Sequence, residues 1–319
     1  MSVEPGFHFH DHAVRQPDPL PEILEGLNAR PRHISPKFFY DEKGSGLFTE
    51  ITRLPEYYPT RTEIGVLRKY SQEISELVGH DFTLIEYGSG SSEKIAILLD
   101  NLKPRIYAPI DISREYLNQS ARSLYDSFPW LQVHATCADF TSGFELPFES
   151  TGRRIGFFPG SSIGNFSREE AARFLARIRR TVGDEGGLLL GVDLKKDPVI
   201  LNAAYNDSQG VTAAFNLNIL EHLNREFGAD FDLTQYAHQA FYNDVAGAIQ
   251  MFLVSQRDQR VALGGQIFEI AAQEKIHTEN SHKYSVEEIV TMAGEAGFGS
   301  HQCWTDENTL FAVFFLSNS

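Results

Sequence analysis

The stretch FTLIEYGSGSSEKIAILLDNL, residues 82–102, changes character twice. FTLIEY is a short apolar run of the length and composition of a buried strand. Gly88-Ser89-Gly90 then forms a glycine turn, and SSEKIAILLDNL reads as a helix. Strand, glycine turn and helix in that order open a ligand-binding α/β unit, because glycines let the backbone approach a ligand without Cβ interference.

Working outward, the same rhythm repeats. RIYAPIDIS (105–113) reads as a second strand ending in Asp111, followed by a helix over 115–127. LQVHATCADF (131–140) is a third strand ending in Asp139. RRIGFFPGSSIGNF (153–166) is a fourth, with a turn of small residues. Ser167 and Glu170 form a capping-box pattern for the next helix, whose inner face is Phe174, Ile178 and Val182 and whose end is marked by Gly183. GGLLLGVDL (186–194) is a fifth strand. Upstream, Ile64, Leu67, Tyr70, Ile74 and Leu77 recur at helical spacing over 62–79. Five strands alternating with helices imply an α/β fold with a mostly parallel, doubly wound sheet.

The rhythm breaks after Leu194. Helical segments are expected around 203–205 and 216–225, and alternating strands near 249–254 and 266–271. Ser285 and Glu288 open another capped helix, and CWTDENTLFAVFFLS closes the chain as one or two strands. The pattern assigns a Rossmann-like domain to 61–194 plus 285–319. It assigns a second, smaller α+β domain to 1–60 plus 195–284. Residues 1–30, rich in Pro and His, read as a mobile terminus, with a weak metal site at the alternating His8, His10 and His12 as the lesser alternative.

Composition narrows the function classes. The 319 residues are 42% apolar and 12% aromatic, ample for a core. A net charge of -15 argues against a nucleic-acid partner, which needs clustered Lys and Arg. No window approaches the roughly 18 apolar residues of a membrane span. MSVEPGFHFHDH does not resemble a secretory signal, and Cys137 and Cys303 form no CxxC pair. The expectation is a cytoplasmic, soluble protein and a monomer, with no metal.

Ligands of open α/β sheets bind beyond the carboxyl ends of the strands. Three features fall there: the turn with Gly88 and Gly90, then Asp111, then Asp139-Phe140. Asp111 is placed to accept ribose hydroxyls, and Asp139-Phe140 to meet an adenine. A dinucleotide loop wants G-x-G-x-x-G, but Glu93 stands at the third glycine. S-adenosylmethionine carries a sulfonium cation and no phosphate, so it suits this turn better. Taken singly, each acid reads as a helix or turn cap; the ordered set of three favours the cofactor. The fold class is then a Rossmann-like class I methyltransferase domain with a smaller second domain.

Longer motifs add a family. FFYDEKGSGLFTEITRLPEYYPTRTE (38–63), YGSGSSEK, ADF, FPGSSIGNF, DLKKDP, AYNDSQGVTAAFNLN and TENSHKYS closely resemble the L-histidine Nα-methyltransferases of bacterial ergothioneine biosynthesis. The resemblance covers nearly the whole chain from about residue 31. With no sulfoxide-synthase segment, the chain resembles the stand-alone form. The resemblance implies conversion of L-histidine to its N-alpha-trimethyl betaine, hercynine. It implies cofactor contacts at Tyr57, Gly88, Gly90, Lys94, Asp111, Asp139 and Phe140. It implies a grip on the substrate carboxylate by Asn165 and Tyr205, with Tyr57 also at the substrate. Glu279 and Ser281 would read the imidazole beside Met251, and Tyr40, Phe48 and Gly160 would line the reacting amine. Tyr87, Pro159 and Asn280 depart from the family pattern.

Methyl transfer is an in-line displacement that rests on positioning, so no covalent nucleophile is needed. Aromatic faces around the amine tolerate a methylated cation. Without the resemblance, Tyr40, Phe48 and Tyr57 read as core aromatics, Asn165 as a cap, and Glu279 as a solvated charge. Two alternatives stay open: a relative acting on another amino acid, and a cofactor-binding module that catalyses nothing.

Overall fold

The computed structural model describes residues 6–12, 18–90, 92–141, 145–150 and 152–318. The elements in chain order begin with β1 (Phe7–Asp11), α1 (Leu20–Asn28), β2 (Arg32–His33), α2 (Glu42–Ile51), α3 (Tyr58–Lys69) and α4 (Ser71–Val78). Then come β3 (Phe82–Tyr87), α5 (Ser92–Leu102), β4 (Ile106–Asp111), α6 (Arg114–Ser127), β5 (Gln132–Cys137), β6 (Arg153–Phe158), α7 (Arg168–Val182) and β7 (Gly187–Asp193). The chain continues with α8 (Pro198–Ala204), α9 (Val211–Phe227), β8 (Tyr236–Asn243), β9 (Ala248–Ser255), β10 (Gln259–Leu263), β11 (Gln266–Ile270) and β12 (Lys275–His282). It ends with α10 (Val286–Glu295), β13 (Ser300–Thr305) and β14 (Phe311–Ser317). Two compact units result. One comprises Met1–Gln16, Pro59–Lys195 and Tyr284–Ser319, and the other Pro17–Tyr58 and Lys196–Lys283.

The first unit is the Rossmann-like domain expected from the sequence. Its eight-stranded sheet runs β1-β5-β4-β3-β6-β7-β14-β13. The pairs from β1 to β7 are parallel, and β14 runs antiparallel to both β7 and β13. Strands β3 and β7 are buried along their whole length because helices cover both faces, as parallel sheets require. Phe82 and Leu84 of β3 enter one core with Leu67, Ile74 and Leu98; Ile85 and Tyr87 enter the other with Phe174 and Ile178. β3 pairs with β4 on one side and β6 on the other, so the strand order reverses at β3. The crevice expected for a ligand therefore lies at its carboxyl end.

Both capping boxes read from the sequence form. Ser167 and Ser285 each accept from the backbone N–H three residues on, and Glu170 and Glu288 reach back. Gly183 ends α7 with φ 74°. The helix expected over 62–79 is instead two, α3 and α4, broken at Tyr70.

The amino terminus needs a larger correction. Phe7–Asp11 belongs to the first unit and pairs in parallel with β5, from Phe7↔Val133 to Asp11↔Cys137. Residues 1–60 do not group as one piece of the second unit, and the first thirty include β1 and α1. The physical reason is an edge to be covered: without β1, β5 would expose unpaired backbone groups. Phe7 also packs its ring 6.0 Å from Tyr125, under the Arg122 guanidinium. Residues 1–5 and 13–17, part of the stretch expected to be mobile, lie outside the described residues.

The second unit is built on a four-stranded sheet, β2-β12-β9-β8, and a β10-β11 hairpin. Helix α9 packs against α2, β8 and β9. The register of β12 on β9 shifts between His277 and Glu279. A bulge there rephases the side-chain alternation, so Thr278, Glu279 and Ser281 are all buried. Asn216 of α9 holds the bulge by accepting from the Thr278 hydroxyl at 2.7 Å.

Candidate active site

In the first unit, Gly88, Gly90, Asp111, Asp139 and Phe140 follow the carboxyl ends of β3, β4 and β5, and Lys94 lies on α5; Tyr57, also expected at the cofactor, belongs to the second unit. Gly88 has φ +74°, a left-handed conformation that favours glycine, and its N–H donates to Ile110 O at 2.9 Å. Gly90 differs: its φ is unremarkable, and a Cβ there would meet no described atom within 4 Å. The fold does not require glycine at 90, so the space before it is room that a ligand can use.

Asp111 at the end of β4 accepts from Ser113 N–H at 2.8 Å, and burial raises its pKa to about 6. Asp139 accepts from Thr141 N–H at 2.8 Å and from its hydroxyl at 2.6 Å. Both acids thus serve as turn caps. Phe140 stands over the turn, 3.6 Å from where a Gly88 Cβ would lie. Glu93 is exposed and pairs with Arg68 at 3.2 Å. Its charge therefore does not face the turn, and what argues against a dinucleotide there is the missing third glycine.

Sequence reasoning gave no role to two buried acids of this unit. Glu86 lies under the turn and accepts from the Tyr107 hydroxyl; burial raises its pKa to about 7. Glu63 is fully buried, 2.6 Å from Lys94 Nζ, and accepts from Gly160 N–H at 3.0 and 3.1 Å. A Cβ on Gly191 would fall 2.1 Å from Glu63, so that glycine makes its room. Lys94 is accordingly an anchor of the Gly160 turn, whatever it also offers a cofactor. Asn165 closes the 3-10 turn Ser162–Asn165, and its side-chain amide is hydrogen-bonded to no described residue.

In the second unit, Tyr40, Phe48, Tyr57 and Tyr205 form a chain of aromatic rings with Phe215. Tyr40 and Phe48 meet edge to face at 5.9 Å, Phe48 and Tyr57 at 6.2 Å, and Tyr57 and Tyr205 at 6.2 Å. Phe215 lies 5.9–6.0 Å from Tyr40 and Phe48. On β12, Glu279 is 8% exposed, and no described residue hydrogen-bonds its carboxylate. Burial raises its pKa to about 7, against the pull of the Lys283 charge. Met251, 1% exposed, is its register partner on β9.

Ser281 shares the buried face with Glu279. It accepts from the Tyr205 hydroxyl at 2.8 Å and from Lys283 Nζ at 2.8 Å. Tyr205 and Ser281, expected at opposite ends of a substrate, therefore touch each other. The departing residue Asn280 points to the other face, where it accepts from Gln250 and His277. It leaves the Glu279 face untouched. Lys283 was not singled out from sequence, although it sits inside TENSHKYS, just as Glu63 closes the stretch 38–63. Gly160 and Asn165 belong to the first unit; the other residues expected around the substrate belong to the second.

Among the described residues, no group of three or more His, Cys, Asp or Glu is arranged to hold a metal, and no helix is long and apolar enough to cross a membrane.

A family model described as histidine-specific methyltransferase, SAM-dependent, matches residues 20–318. The chain belongs to this family. It is a methyltransferase that uses S-adenosylmethionine and is specific for histidine. Among its relatives, it is 41% identical to the histidine N-alpha-methyltransferase of Mycolicibacterium smegmatis, over 89% of this chain and 90% of the relative. It is 39% identical to the protein of the same name from Mycobacterium tuberculosis, over 90% of each chain. It is 32% identical to ergothioneine biosynthesis protein 1 of Neurospora crassa, over 91% of this chain but 33% of that longer protein.

Proposed function

We propose that this methyltransferase converts L-histidine to its N-alpha-trimethyl betaine, hercynine, for ergothioneine biosynthesis. The observation that carries the reading is Glu279: a buried carboxylate with no hydrogen bond from the described residues, beside the Ser281 hydroxyl. Burial makes its charged form costly, and a ligand that donates to it would offset that cost. An imidazole supplies what is missing, since its N–H can donate to the carboxylate. Met251 lines the same part of the sheet and limits the side chain's size.

The first unit binds the cofactor. Gly88 and Gly90 admit it to the turn, Asp111 accepts its ribose hydroxyls, and Asp139 and Phe140 meet its adenine. Lys94, through Glu63, holds the backbone of Gly160. Asn165 offers an amide N–H to the substrate carboxylate, and Tyr57 and Tyr205 serve the substrate in the second unit. S-adenosylmethionine supplies an electrophilic methyl on a positively charged sulfur. The residues act by binding and orientation, which suffices for an in-line transfer to a neutral amine. The faces of Tyr40 and Phe48 accommodate the amine as each methyl removes an N–H donor.

The test is to mix the protein and cofactor with each of the twenty amino acids and follow release of S-adenosylhomocysteine. Histidine should be the preferred substrate, and mass spectrometry at long times should show three added methyls. Preference for another amino acid, or arrest at one methyl with cofactor in excess, contradicts the proposal.

A further inference from the structure

The extended segment Glu279–Lys283 carries an acceptor, a hydroxyl and a cation on alternate residues of one buried face. Lys283 is 1% exposed, and its N–H donates to Gly247 O at 2.8 Å, which continues the pairing with the neighbouring strand past His282. Its ammonium lies 2.8 Å from Ser281 Oγ and 3.2 Å from the Tyr205 oxygen, and these two oxygens are 2.8 Å apart. The three groups close a triangle.

An ammonium has only donors. Lys283 therefore gives a hydrogen to both oxygens, and the two hydroxyls must arrange themselves around that fact. A phenol is a far better donor than an alcohol, so Tyr205 gives its hydrogen to Ser281. Both lone pairs of Ser281 are then taken, one by Lys283 and one by Tyr205. The serine hydrogen is left to point away from the triangle. Glu279, two residues back on the same face and about 6.5–7 Å along the strand, is an acceptor. It too is under the influence of the Lys283 charge, which favours its ionised form.

The geometry points to Lys283 as a positioning residue for substrate choice: it fixes Ser281 as a donor toward the amino-acid side chain. The Glu279–Ser281 pair then accepts a ring that carries one N–H and one bare nitrogen. A ring with a donor on both sides meets the Ser281 hydrogen head-on. A ring without the bare nitrogen leaves that hydrogen unpaired in a buried place, which is costly. This rests on the histidine reading above and adds a residue that acts on the substrate only through Ser281.

The experiment compares two ligands in several proteins. L-histidine is set against 3-(pyrrol-2-yl)-L-alanine, which keeps the ring size and an N–H but has no bare ring nitrogen. Calorimetry with S-adenosylhomocysteine present gives the two affinities for the wild-type protein, for Lys283→Met and for Lys283→Gln. Glutamine offers Ser281 an inward acceptor, so its hydrogen is no longer forced outward. Methionine removes the two donated bonds. The wild-type protein should prefer histidine over the pyrrole by about tenfold or more. Both variants should lose that preference, chiefly by weaker histidine binding, with the pyrrole affinity little changed. Ser281→Ala should lose it too, and adding Lys283→Met to Ser281→Ala should change nothing further. If Lys283 merely supports the strand, both ligands weaken together and the ratio stays at the wild-type value, which overturns the inference. If the wild-type protein neither binds nor methylates histidine, the histidine reading has failed instead.

Discussion

Glu86 of the first unit and Glu279 of the second are both buried where a ligand is expected, and the two are held differently. Glu86 is the last residue but one of β3 in the first unit, and the chain supplies its partner in the Tyr107 hydroxyl, with Ser89 beside it. Glu279 lies in the smaller unit and receives no hydrogen bond from any described residue. Burial pushes both carboxyls to about 7. Equal burial with unequal pairing separates two roles. On the proposed reading, Glu86 belongs to the scaffold under the glycine turn and Glu279 is kept for a donor from the substrate.

The sharpest way to break this comparison is to remove each acid. Glu279→Ala should lower kcat/KM for histidine by about 10²–10³-fold and relax the bias against tryptophan, because a polar site discriminates through the groups it leaves unpaired. Glu86→Gln keeps an acceptor for Tyr107 and should leave the histidine-to-tryptophan ratio unchanged. Steady-state kinetics on both substrates decides the matter. A Glu279→Ala protein with wild-type histidine turnover would make that residue another scaffold acid.

The next effect concerns Asp111, whose capping bond to Ser113 coexists with the proposed ribose contact. Asp111→Ala should weaken S-adenosylmethionine binding by about tenfold or more, since hydrogen bonds to a charged acceptor are the stronger kind. Calorimetry on the folded variant reads this directly. Unchanged affinity would mean that the acid is a cap and nothing else.

The smallest effect is on stability. A carboxyl whose pKa is higher folded than unfolded binds its proton more tightly in the native state. The empty protein should therefore lose stability as pH rises from about 4.5 to about 7, the range between the ordinary and shifted values of Glu86 and Glu279. Glu279→Gln removes one of those losses. It should stabilise the empty protein at pH 8 by about 1–3 kcal/mol and leave it unaltered at pH 4. Denaturant titration at the two pH values checks the sign.

What the sequence disclosed divides along the same physical line. Features fixed by neighbours in the chain were legible: the turn at Gly88, both capping boxes, and the strand ends at Asp111 and Asp139. The glycine turn, Asp111 and Asp139 could be listed as candidates because they follow successive strands in order. Features fixed by distant pairing were not. Phe7–Asp11 finds its place on β5 more than a hundred residues away. Glu63 takes its meaning from Lys94, Gly160 and the gap at Gly191. Glu279 and Ser281 were named from a motif, but the bulge that turns them inward depends on Asn216 of another element. Lys283 carries no signal of its own in the sequence, and its place is set by the Tyr205 and Ser281 oxygens around it.

The most direct test of the central claim is to watch the Glu279 carboxyl itself. Carbon-13 labelling of the glutamates, with Glu279→Gln and Glu86→Gln used to assign the two signals, lets both be titrated by NMR with S-adenosylhomocysteine present. Without histidine, Glu279 should titrate near 7. With histidine saturating, a ring N–H on the carboxylate favours its ionised form, so its pKa should fall below about 5 while the Glu86 signal keeps its own titration. A Glu279 titration that histidine leaves unmoved, in a protein shown to bind it, would contradict the account.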